Sequence, residues 1–433
     1  MALEGNNITE TLDDLFAKDE IAQWFPNQSA AFRRIDSASP KNINAKGGQY
    51  LVETETPQAI VAGDFAGTDG AEFPTGGRLS FIIMTVLPIT HRASFEVTSN
   101  VDAQNEAALK QRPAKNYDYV MKGISLLMKA YGLKQSRDLW GNKTGEIARV
   151  SGVTGNVVTC NTSANQFGSY LMQAGMDCEF RAADGTLRGY GVVQSMNRKA
   201  KTFACKAATV RNAAGAITGT LQSNGVATAD RVYMKGCYNN NWTGISAFTE
   251  PLGAFQGRSD RSEHYRLPGM KEDKGGATLT VGMMRKMISD QEMRLDGGEA
   301  TGEFWGSTQI DAYEATGLPT QAYGQSGSSL KQGYNKKGMM FADKKFNRDL
   351  YIPRDVLALI DMSEIDKFEM QTFKPLKNGA DGTYFHLANG VNAHRDSRFV
   401  YFRGIGNLGV EDPSSLGVWY ENLSTAGLST GNN

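Results

Sequence analysis

Two glycine-rich motifs of the kind that enzymes use occur near the end of the sequence. The stretch Gly427–Gly431 has the G-x-S-x-G spacing of a hydrolase nucleophile, but only two residues follow it, so no helix completes the required elbow. The stretch Gly404–Gly409 matches a dinucleotide fingerprint, G-x-G-x-x-G, and follows a predicted strand. Val410–Pro413 then stands where a long helix would have to begin. We therefore expect a glycine loop at Gly404–Gly409 and no cofactor site.

Metal-ligating and nucleophilic side chains are scattered along the chain. His386 and His394 are the nearest pair of histidines, and a pair supplies too few ligands for a metal. The cysteines form no C-x-x-C pair, and we expect them to pack as small apolar side chains on strands: Cys160, Cys178, Cys205 and Cys237. The sequence thus predicts no metal, no cofactor and no catalytic constellation. The chain is not expected to be an enzyme.

The charge balance limits the possible partners. The 46 Lys and Arg equal the 46 Asp and Glu, which excludes the broadly basic surface of most nucleic-acid binders but leaves local basic patches possible. With 40% apolar residues, and 48 Gly against 12 Pro, we expect a folded, loop-rich chain of two or three compact units. No apolar run reaches the roughly 20 residues of a membrane span, so we expect a soluble protein made in a cytoplasm.

The elements that must position any functional residues begin with an extended ribbon at residues 47–92. Strand patterns start at Tyr50 and again at Leu79–Val86, on either side of a glycine-rich stretch. That stretch is far longer than the roughly two to five residues of an ordinary hairpin loop. Phe65 and Phe73 within it would be poorly placed in water. Two interpretations remain open: a loop folded onto its own domain, or an arm that docks on a neighbouring chain.

The clearest helix follows this ribbon. Apolar residues recur at helical spacing between Pro113 and Tyr131, with polar residues on the opposite face. Pro113 suits the first turn and Gly132 the exit, which gives a rod about 28 Å long. The predicted core face comprises Tyr117, Val120, Met121, Ile124, Leu127, Met128 and Tyr131.

Residues 150–238 are predicted to be all-β, as a small barrel or sandwich. Short strands alternate with turn residues such as Asp184-Gly185. We expect Gly145 and Gly236 to lie close together, as the insertion of a domain requires. The predicted strands are 157–160, 178–181, 189–196, 202–207, 217–221 and 231–234.

The remaining C-terminal half is predicted to be mixed. A helix capped by Thr280 carries apolar residues from Val281 to Leu295. A strand and loop are expected at Glu303–Ile310, and a further loop at Gly317–Gly338. The other expected elements are a helix or strand at 356–360 and at 365–372, and strands at 384–387, 399–403 and 417–420.

This order of parts resembles the major capsid proteins of tailed double-stranded DNA bacteriophages, the Hong Kong phage-type capsid fold that is also seen in bacterial encapsulins. The long hairpin closes on the turn Glu72-Phe73-Pro74 and precedes the straight amphipathic helix, as in that family. The resemblance implies an α+β fold with an N-terminal arm (1–46), an E-loop hairpin (47–92), a peripheral domain (93–149) with a spine helix (113–132), an inserted small β-barrel or sandwich (150–238), an axial domain (239–390) and C-terminal strands returning to the peripheral domain (391–433).

The resemblance also implies where neighbouring subunits meet. One contact is the E-loop tip, which corresponds here to Gly63, Asp64, Phe65, Gly70, Glu72, Phe73 and Pro74. A second is the loop at the capsomer axis, for which the candidates are Gly317, Leu318, Pro319 and Tyr323.

The implied function is that of a structural protein that self-assembles into hexamers and pentamers of an icosahedral shell around packaged double-stranded DNA. The implied partners are other copies of the chain, a portal protein at one vertex and DNA contacted non-specifically, with a separate scaffolding protein and a decoration protein as optional additions. The implied location is the virion capsid, assembled in the bacterial cytoplasm, without a membrane. Two alternatives remain open: an encapsulin-like compartment shell, and a ligand-binding protein that uses the β-domain.

Overall fold

Strands and helices alternate along the chain in a mixed α+β fold. The computed structural model describes residues 29–36, 47–55, 80–98, 119–161, 168, 171–264, 266–295, 297–315, 333–335, 338–377, 386–387 and 397–425. The helices are α1 (Ala30–Asp36), α2 (Tyr119–Trp140), α3 (Ile245–Phe248), α4 (Val281–Arg294) and α5 (Thr308–Ala315).

The strands fall into a hairpin, a barrel and two open sheets. In chain order they are β1 (Gly48–Glu55), β2 (Ser80–Val86), β3 (Ile89–Thr98), β4 (Glu146–Thr154), β5 (Val157–Asn161), β6 (Asp177–Arg181), β7 (Leu187–Asn197), β8 (Thr202–Cys205), β9 (Arg211–Asn212), β10 (Arg231–Met234), β11 (Met270–Asp273), β12 (Glu303–Gly306), β13 (Gly333–Asn335), β14 (Gly338–Phe341), β15 (Lys344–Arg348), β16 (Leu357–Ile360), β17 (Ile365–Pro375), β18 (His386–Leu387), β19 (Ser397–Val410) and β20 (Gly417–Glu421).

The β1–β2 hairpin confirms the two strands predicted within residues 47–92. The strands pair antiparallel, with Gly48 opposite Val86 and Glu53 opposite Phe81. The glycine-rich stretch that joins them, residues 56–79, lies outside the described residues. Two residues separate β2 from β3, so the hairpin leads directly into the body of the molecule.

The long predicted helix is present as α2, but its C-terminal bound was predicted wrongly. The helix continues through Gly132, the expected exit, and ends at Trp140. A glycine inside a helix costs about 1 kcal/mol relative to alanine. Burial of Leu139 and Trp140 in the extra turns offsets this cost. The expected start at Pro113 lies outside the described residues.

The β-rich segment is a closed barrel. Its strand order is β6-β10-β4-β5-β8-β7, β7 pairs again with β6, and the short β9 adds to β7. It begins at Glu146, slightly before the expected residue 150. The amide of Asn239 donates to the carbonyl of Thr144 at 2.9 Å, so the entry and the exit of the barrel lie side by side as expected.

One predicted strand of the barrel, residues 217–221, is wrong. Ile217 makes only an isolated bridge to Arg211, and Leu221 is a buried residue that leads into a helical turn. Only one of its two apolar ends is buried, Leu221, whereas Ile217 is largely exposed, so the apolar pattern does not reflect a strand with one buried face.

Two open sheets form the rest of the body. The first has seven strands in the order β11-β20-β16-β12-β15-β14-β13, and the second combines β17, β19 and β18 with β3, which pairs with β19. The domain boundary expected at residue 390 does not follow these sheets. β17 precedes that boundary but pairs with β19, while β20 follows it but pairs with β16. A tight turn capped by Asp361 leads from β16 of the first sheet to β17 of the second. Another, capped by Asp412, leads from β19 of the second sheet back to β20 of the first.

The glycine loop expected at Gly404–Gly409 is instead the middle of the long strand β19. Here the glycines provide room for packing. A Cβ atom at Gly404 would lie 3.0 Å from the backbone of Phe373, and one at Gly409 would lie 2.7 Å from Val86. The fingerprint spacing therefore reflects close packing against the strand and not phosphate binding.

The predicted cap of α4 is confirmed, since the Thr280 hydroxyl accepts from the amide of Met283 at 3.2 Å. Met284 and Met287 are buried on its inner face. Among the described helices, none is long and apolar enough to cross a membrane.

Candidate intersubunit surface

The β1–β2 hairpin has two unlike faces. Because side chains alternate along a strand, one face carries Tyr50, Val52, Met84 and Val86, all of which are buried. The opposite face carries apolar side chains that are about half exposed: Leu51 (59%), Phe81 (48%) and Ile83 (54%). We name these three residues the outer hairpin face.

The buried face attaches the hairpin to its own molecule. The Tyr50 hydroxyl donates to Asp366 Oδ2 at 2.8 Å, and its ring packs edge-on against Phe368 with a centroid separation of 5.3 Å. Burial, together with the Asp366 carboxylate, raises the pKa of Tyr50 well above its usual range, so the hydroxyl stays protonated and donates. This contact fixes the direction in which the hairpin leaves the body.

Glycine permits this close packing. A Cβ atom at Gly48 would lie 2.3 Å from the ring of Phe368, which no real side chain tolerates. The amide of Thr85 also donates to the carbonyl of Gln256 at 2.7 Å. The base of the hairpin is therefore held by the packing of its buried face and by a backbone hydrogen bond from β2 to Gln256.

The outer hairpin face has an energetic consequence. Leu51 lies directly opposite Ile83 in the register, and Phe81 lies two pairs further along, opposite Glu53, so Leu51, Ile83 and Phe81 are neighbours on the same face. Fully burying an apolar side chain of this size stabilises by about 1.5–3 kcal/mol. A strip of this kind on an exposed ribbon is a typical protein contact surface.

The inner face of α2 follows the predicted core stripe where the side chains are described. Ile124, Met128 and Tyr131 are buried, and Tyr131 stacks on Phe373 with ring centroids 3.8 Å apart. Leu127 is only partly buried, and Leu126, which was not predicted as a surface residue, is 56% exposed. Val120 and Met121 belong to α2, whereas Tyr117 lies outside the described residues.

A buried polar cluster follows on α2 that sequence reasoning missed. Lys134 Nζ donates to Asp138, to Asn241 Oδ1 at 2.6 Å and to His91 Nε2 at 3.4 Å. His91 Nδ1 lies 3.4 Å from the Tyr131 hydroxyl. The cluster joins β3, α2 and the segment that leaves the barrel. Its only signal in the sequence is the spacing of Lys134 and Asp138, which allows an ion pair on one helix face.

Burial controls the charges in this cluster. Desolvation, with the positive charge of Lys134 adding to it, lowers the pKa of His91 to about 2, so the ring is neutral near pH 7. Desolvation also raises the pKa of Asp138, and the contact with Lys134 opposes that rise. The ion pair of Lys134 and Asp138 thus compensates both of its charges inside the protein.

The four cysteines are free thiols. Cys160, Cys178 and Cys205 are buried on barrel strands, as predicted, and Cys237 is partly buried in the turn after β10. Burial raises the pKa of Cys160 and of Cys205 to about 12, which keeps both thiols protonated and unreactive.

The expected contact residues of the hairpin tip and of the capsomer axis lie outside the described residues. These are Gly63, Asp64, Phe65, Gly70, Glu72, Phe73 and Pro74 for the tip, and Gly317, Leu318, Pro319 and Tyr323 for the axis. His394 also lies outside them. Within the described part of the chain, no group of three or more His, Cys, Asp or Glu side chains is arranged to hold a metal ion.

The solved structures to which the chain is similar include chains of phage particles. The chain is similar to a chain of the capsid asymmetric unit of cyanophage A-1(L), with 12% identity, a TM-score of 0.48 and coverage of 90% of this chain and 93% of that one. It is similar to a chain of Gordonia phage Cozz, with 11% identity, a TM-score of 0.41 and coverage of 92% and 87%. It is also similar to a chain of the capsid of a native GTA particle, with 10% identity, a TM-score of 0.41 and coverage of 91% of this chain and 90% of that one. No family profile and no curated protein matches the sequence.

Proposed function

We propose that the chain is a structural capsid subunit that assembles with copies of itself into a closed shell. The observation that carries the proposal is the outer hairpin face. Leu51, Phe81 and Ile83 form an apolar strip on a ribbon whose other face is already packed against its own body. Burying this strip requires a surface that the subunit's own hairpin base does not supply.

The geometry of the hairpin suits a ring or a shell. A hairpin that leaves one subunit and covers the next makes a head-to-tail contact, and such contacts close into rings when the rotation between the subunits allows it. Each contact is small, but the many copies in a shell act together. The order of hairpin, long helix and mixed sheets supports the same proposal, with residues 47–92 as the E-loop and α2 as the spine helix.

The finer parts of the proposal follow from this arrangement. The subunits form hexamers and pentamers of an icosahedral shell, with the loop at 317–338 near the capsomer axis and a portal protein at one vertex. The shell encloses double-stranded DNA that it contacts non-specifically, because the formal net charge of the chain is zero. Its location is the virion capsid, assembled in the bacterial cytoplasm.

The barrel is proposed to be an inserted domain that elaborates the shell. Its interior positions are filled by buried side chains, including Phe180 and Phe203, whose rings stack with centroids 6.3 Å apart. A ligand-binding barrel would need that space for its ligand. This packing supports a structural role for the barrel over the ligand-binding alternative.

The test is to shorten the glycine-rich stretch between Gly63 and Gly77 and to examine the purified protein by electron microscopy. We expect the monomer to keep its thermal unfolding temperature and to lose shell formation. A matched control carries a deletion within the barrel turn at residues 212–216, and it should still form shells. Loss of monomer stability in the first variant, or normal shells from it, would contradict the proposal.

A further inference from the structure

Among the residues that the structure describes, Arg137 is a buried guanidinium without an anionic partner of its own. It lies in the last turn of α2 and is only 7% exposed. The hydrogen bond that its guanidinium makes within the described part of the chain runs from Nη2 to the thioether sulfur of Met234 at 2.8 Å, and such a sulfur is a weak acceptor. The adjacent Asp138 is already paired with Lys134. Burial lowers the pKa of Arg137, as expected for a charge without full compensation.

The same protein satisfies another buried arginine completely. Arg261 is 1% exposed and donates to the carbonyl oxygens of Leu267 at 2.7 Å, of Ala247 at 2.9 Å and of Phe248. Burying a charge is unfavourable unless acceptors replace the lost water. Arg261 has three such acceptors within its own chain, whereas the described residues give Arg137 none of comparable strength.

A cavity of about 370 Å³ opens beside Arg137. Besides Arg137, it is lined by the polar side chains of Gln173, Arg198 and Tyr351, and in the described part of the chain none of these side chains makes a hydrogen bond. The carboxylate in its wall, Asp177, is paired with Lys235 at 3.3 Å. The cavity therefore gathers two arginines, a hydroxyl and an amide, while its acid is already neutralised.

We propose that this cavity binds a compact oxyanion of the phosphate or carboxylate class. The planar guanidinium of Arg137, which lines the cavity, carries N–H donors in a fixed fork that matches two oxygens of such an anion. Arg198 supplies a second positive charge from the rim, and the Tyr351 hydroxyl and the Gln173 amide are further donors. We name this site the anion cavity.

The position of the anion cavity gives the bound ion a structural role. Arg137 belongs to α2, Arg198 follows β7 of the barrel, and Tyr351 precedes β16 of the seven-stranded sheet. An anion held by all three would tie the barrel to the body of the subunit. This inference does not depend on shell formation, so it stands or fails separately from the proposed function.

The test is isothermal titration calorimetry of the full chain with inorganic phosphate, and in a parallel arm with citrate, in a zwitterionic buffer. We expect one phosphate or one citrate per chain, and the tighter of the two identifies the class of anion. Arg198→Ala and Arg137→Met should each weaken binding by about tenfold or more, because each removes charged hydrogen bonds to the anion. Lys199→Ala, an exposed cation next to Arg198 that does not line the cavity, is the matched control and should bind as the parent does.

Two outcomes would overturn the inference. One is that neither phosphate nor citrate binds the parent protein with a defined stoichiometry. The other is that Arg198→Ala binds as tightly as Lys199→Ala. If Arg137→Met fails to fold, Arg198→Ala still decides the question, because the Arg198 side chain is exposed and the core stays intact without it.

Discussion

The barrel and the hairpin are both built from antiparallel strands, yet they satisfy their apolar surfaces differently. The barrel closes on itself through the pairing of β6 with β7, so its six main strands have no free edge. Its inward side chains, among them Val158, Phe180 and Val232, are fully buried within a single chain. The hairpin has only two strands, and the outer hairpin face remains half exposed.

The difference indicates where each region obtains its stability. A two-stranded ribbon is marginal in water unless one face packs on something else, and here only the Tyr50 face does so. The apolar surface of the barrel is covered within one chain, whereas that of the hairpin is covered on one face only. Substitutions in the barrel should therefore change the unfolding of the monomer, and substitutions on the outer hairpin face should change assembly.

The largest effect is expected inside the barrel. Phe180→Ala removes a fully buried ring that stacks on Phe203, and it should lower the free energy of unfolding by about 3–5 kcal/mol. Val157→Ala, on the partly exposed outer wall, is the control and should change it by less than about 0.5 kcal/mol. Chemical denaturation of the monomer measures both. A small effect of Phe180→Ala would mean that the barrel interior is loosely packed.

The next effect concerns the buried cluster that joins β3 to α2 and the barrel exit. The pKa of His91 is lowered from 6.5 to about 2 by burial, so between these values the unfolded chain binds a proton that the folded chain does not. Stability contributed by this site is therefore complete above about pH 6.5 and falls as the pH decreases. Between pH 6 and pH 4 the loss should be about 2–3 kcal/mol.

His91→Gln tests this pH dependence, because glutamine keeps polar atoms in the cluster and does not titrate. The other titrating groups are common to both proteins, so the difference between the two pH profiles isolates the histidine. We expect the parent to lose about 2–3 kcal/mol more than the variant over this range, measured by urea unfolding. Equal slopes would show that His91 is hydrated in the folded protein.

Sequence reasoning predicted the local elements well and their partners poorly. Five of the six strands predicted for the barrel, the cap at Thr280 and the two strands of the hairpin are present, because they depend on patterns within a few residues; the strand predicted at 217–221 is absent. The assignment of β17 and β20 to sheets depends on pairing between distant residues. No short pattern encodes such pairing, so the expected domain boundary at residue 390 separated strands that belong together.

The same limit explains the missed polar cluster and the misplaced glycine loop. Residues 134–138 of α2 are polar, and a polar run after a glycine usually indicates the end of a helix. They are buried here because β3 and the barrel exit cover them, which the local sequence does not reveal. Likewise, Gly404 and Gly409 became recognisable as packing positions only once Phe373 and Val86 were placed against them.

A smaller effect is expected where the hairpin attaches to the body. Tyr50→Phe removes the hydrogen bond to Asp366 but keeps the ring against Phe368, and it should lower the free energy of unfolding by about 1 kcal/mol. Tyr190→Phe is the control, because the Tyr190 hydroxyl makes no hydrogen bond within the described part of the chain, and the expected change is below about 0.5 kcal/mol. Because the tyrosine fixes the hairpin's direction, Tyr50→Phe should also slow shell formation. Unchanged stability would show that water replaces the hydroxyl without loss.

The smallest effect on the monomer, and the sharpest test of the comparison, comes from Ile83→Asp. Its side chain is 54% exposed and lies opposite Leu51, so a charge there remains hydrated, and the free energy of unfolding should change by less than about 0.5 kcal/mol. In a shell the same aspartate would be buried without a partner, which is strongly unfavourable, and particles should disappear from electron micrographs. Ile217→Asp, at 60% exposure on the barrel, introduces the same charge and should leave particles intact. If both variants assemble, the outer hairpin face faces water in the particle. If both fail, the barrel also contributes to the contacts between subunits.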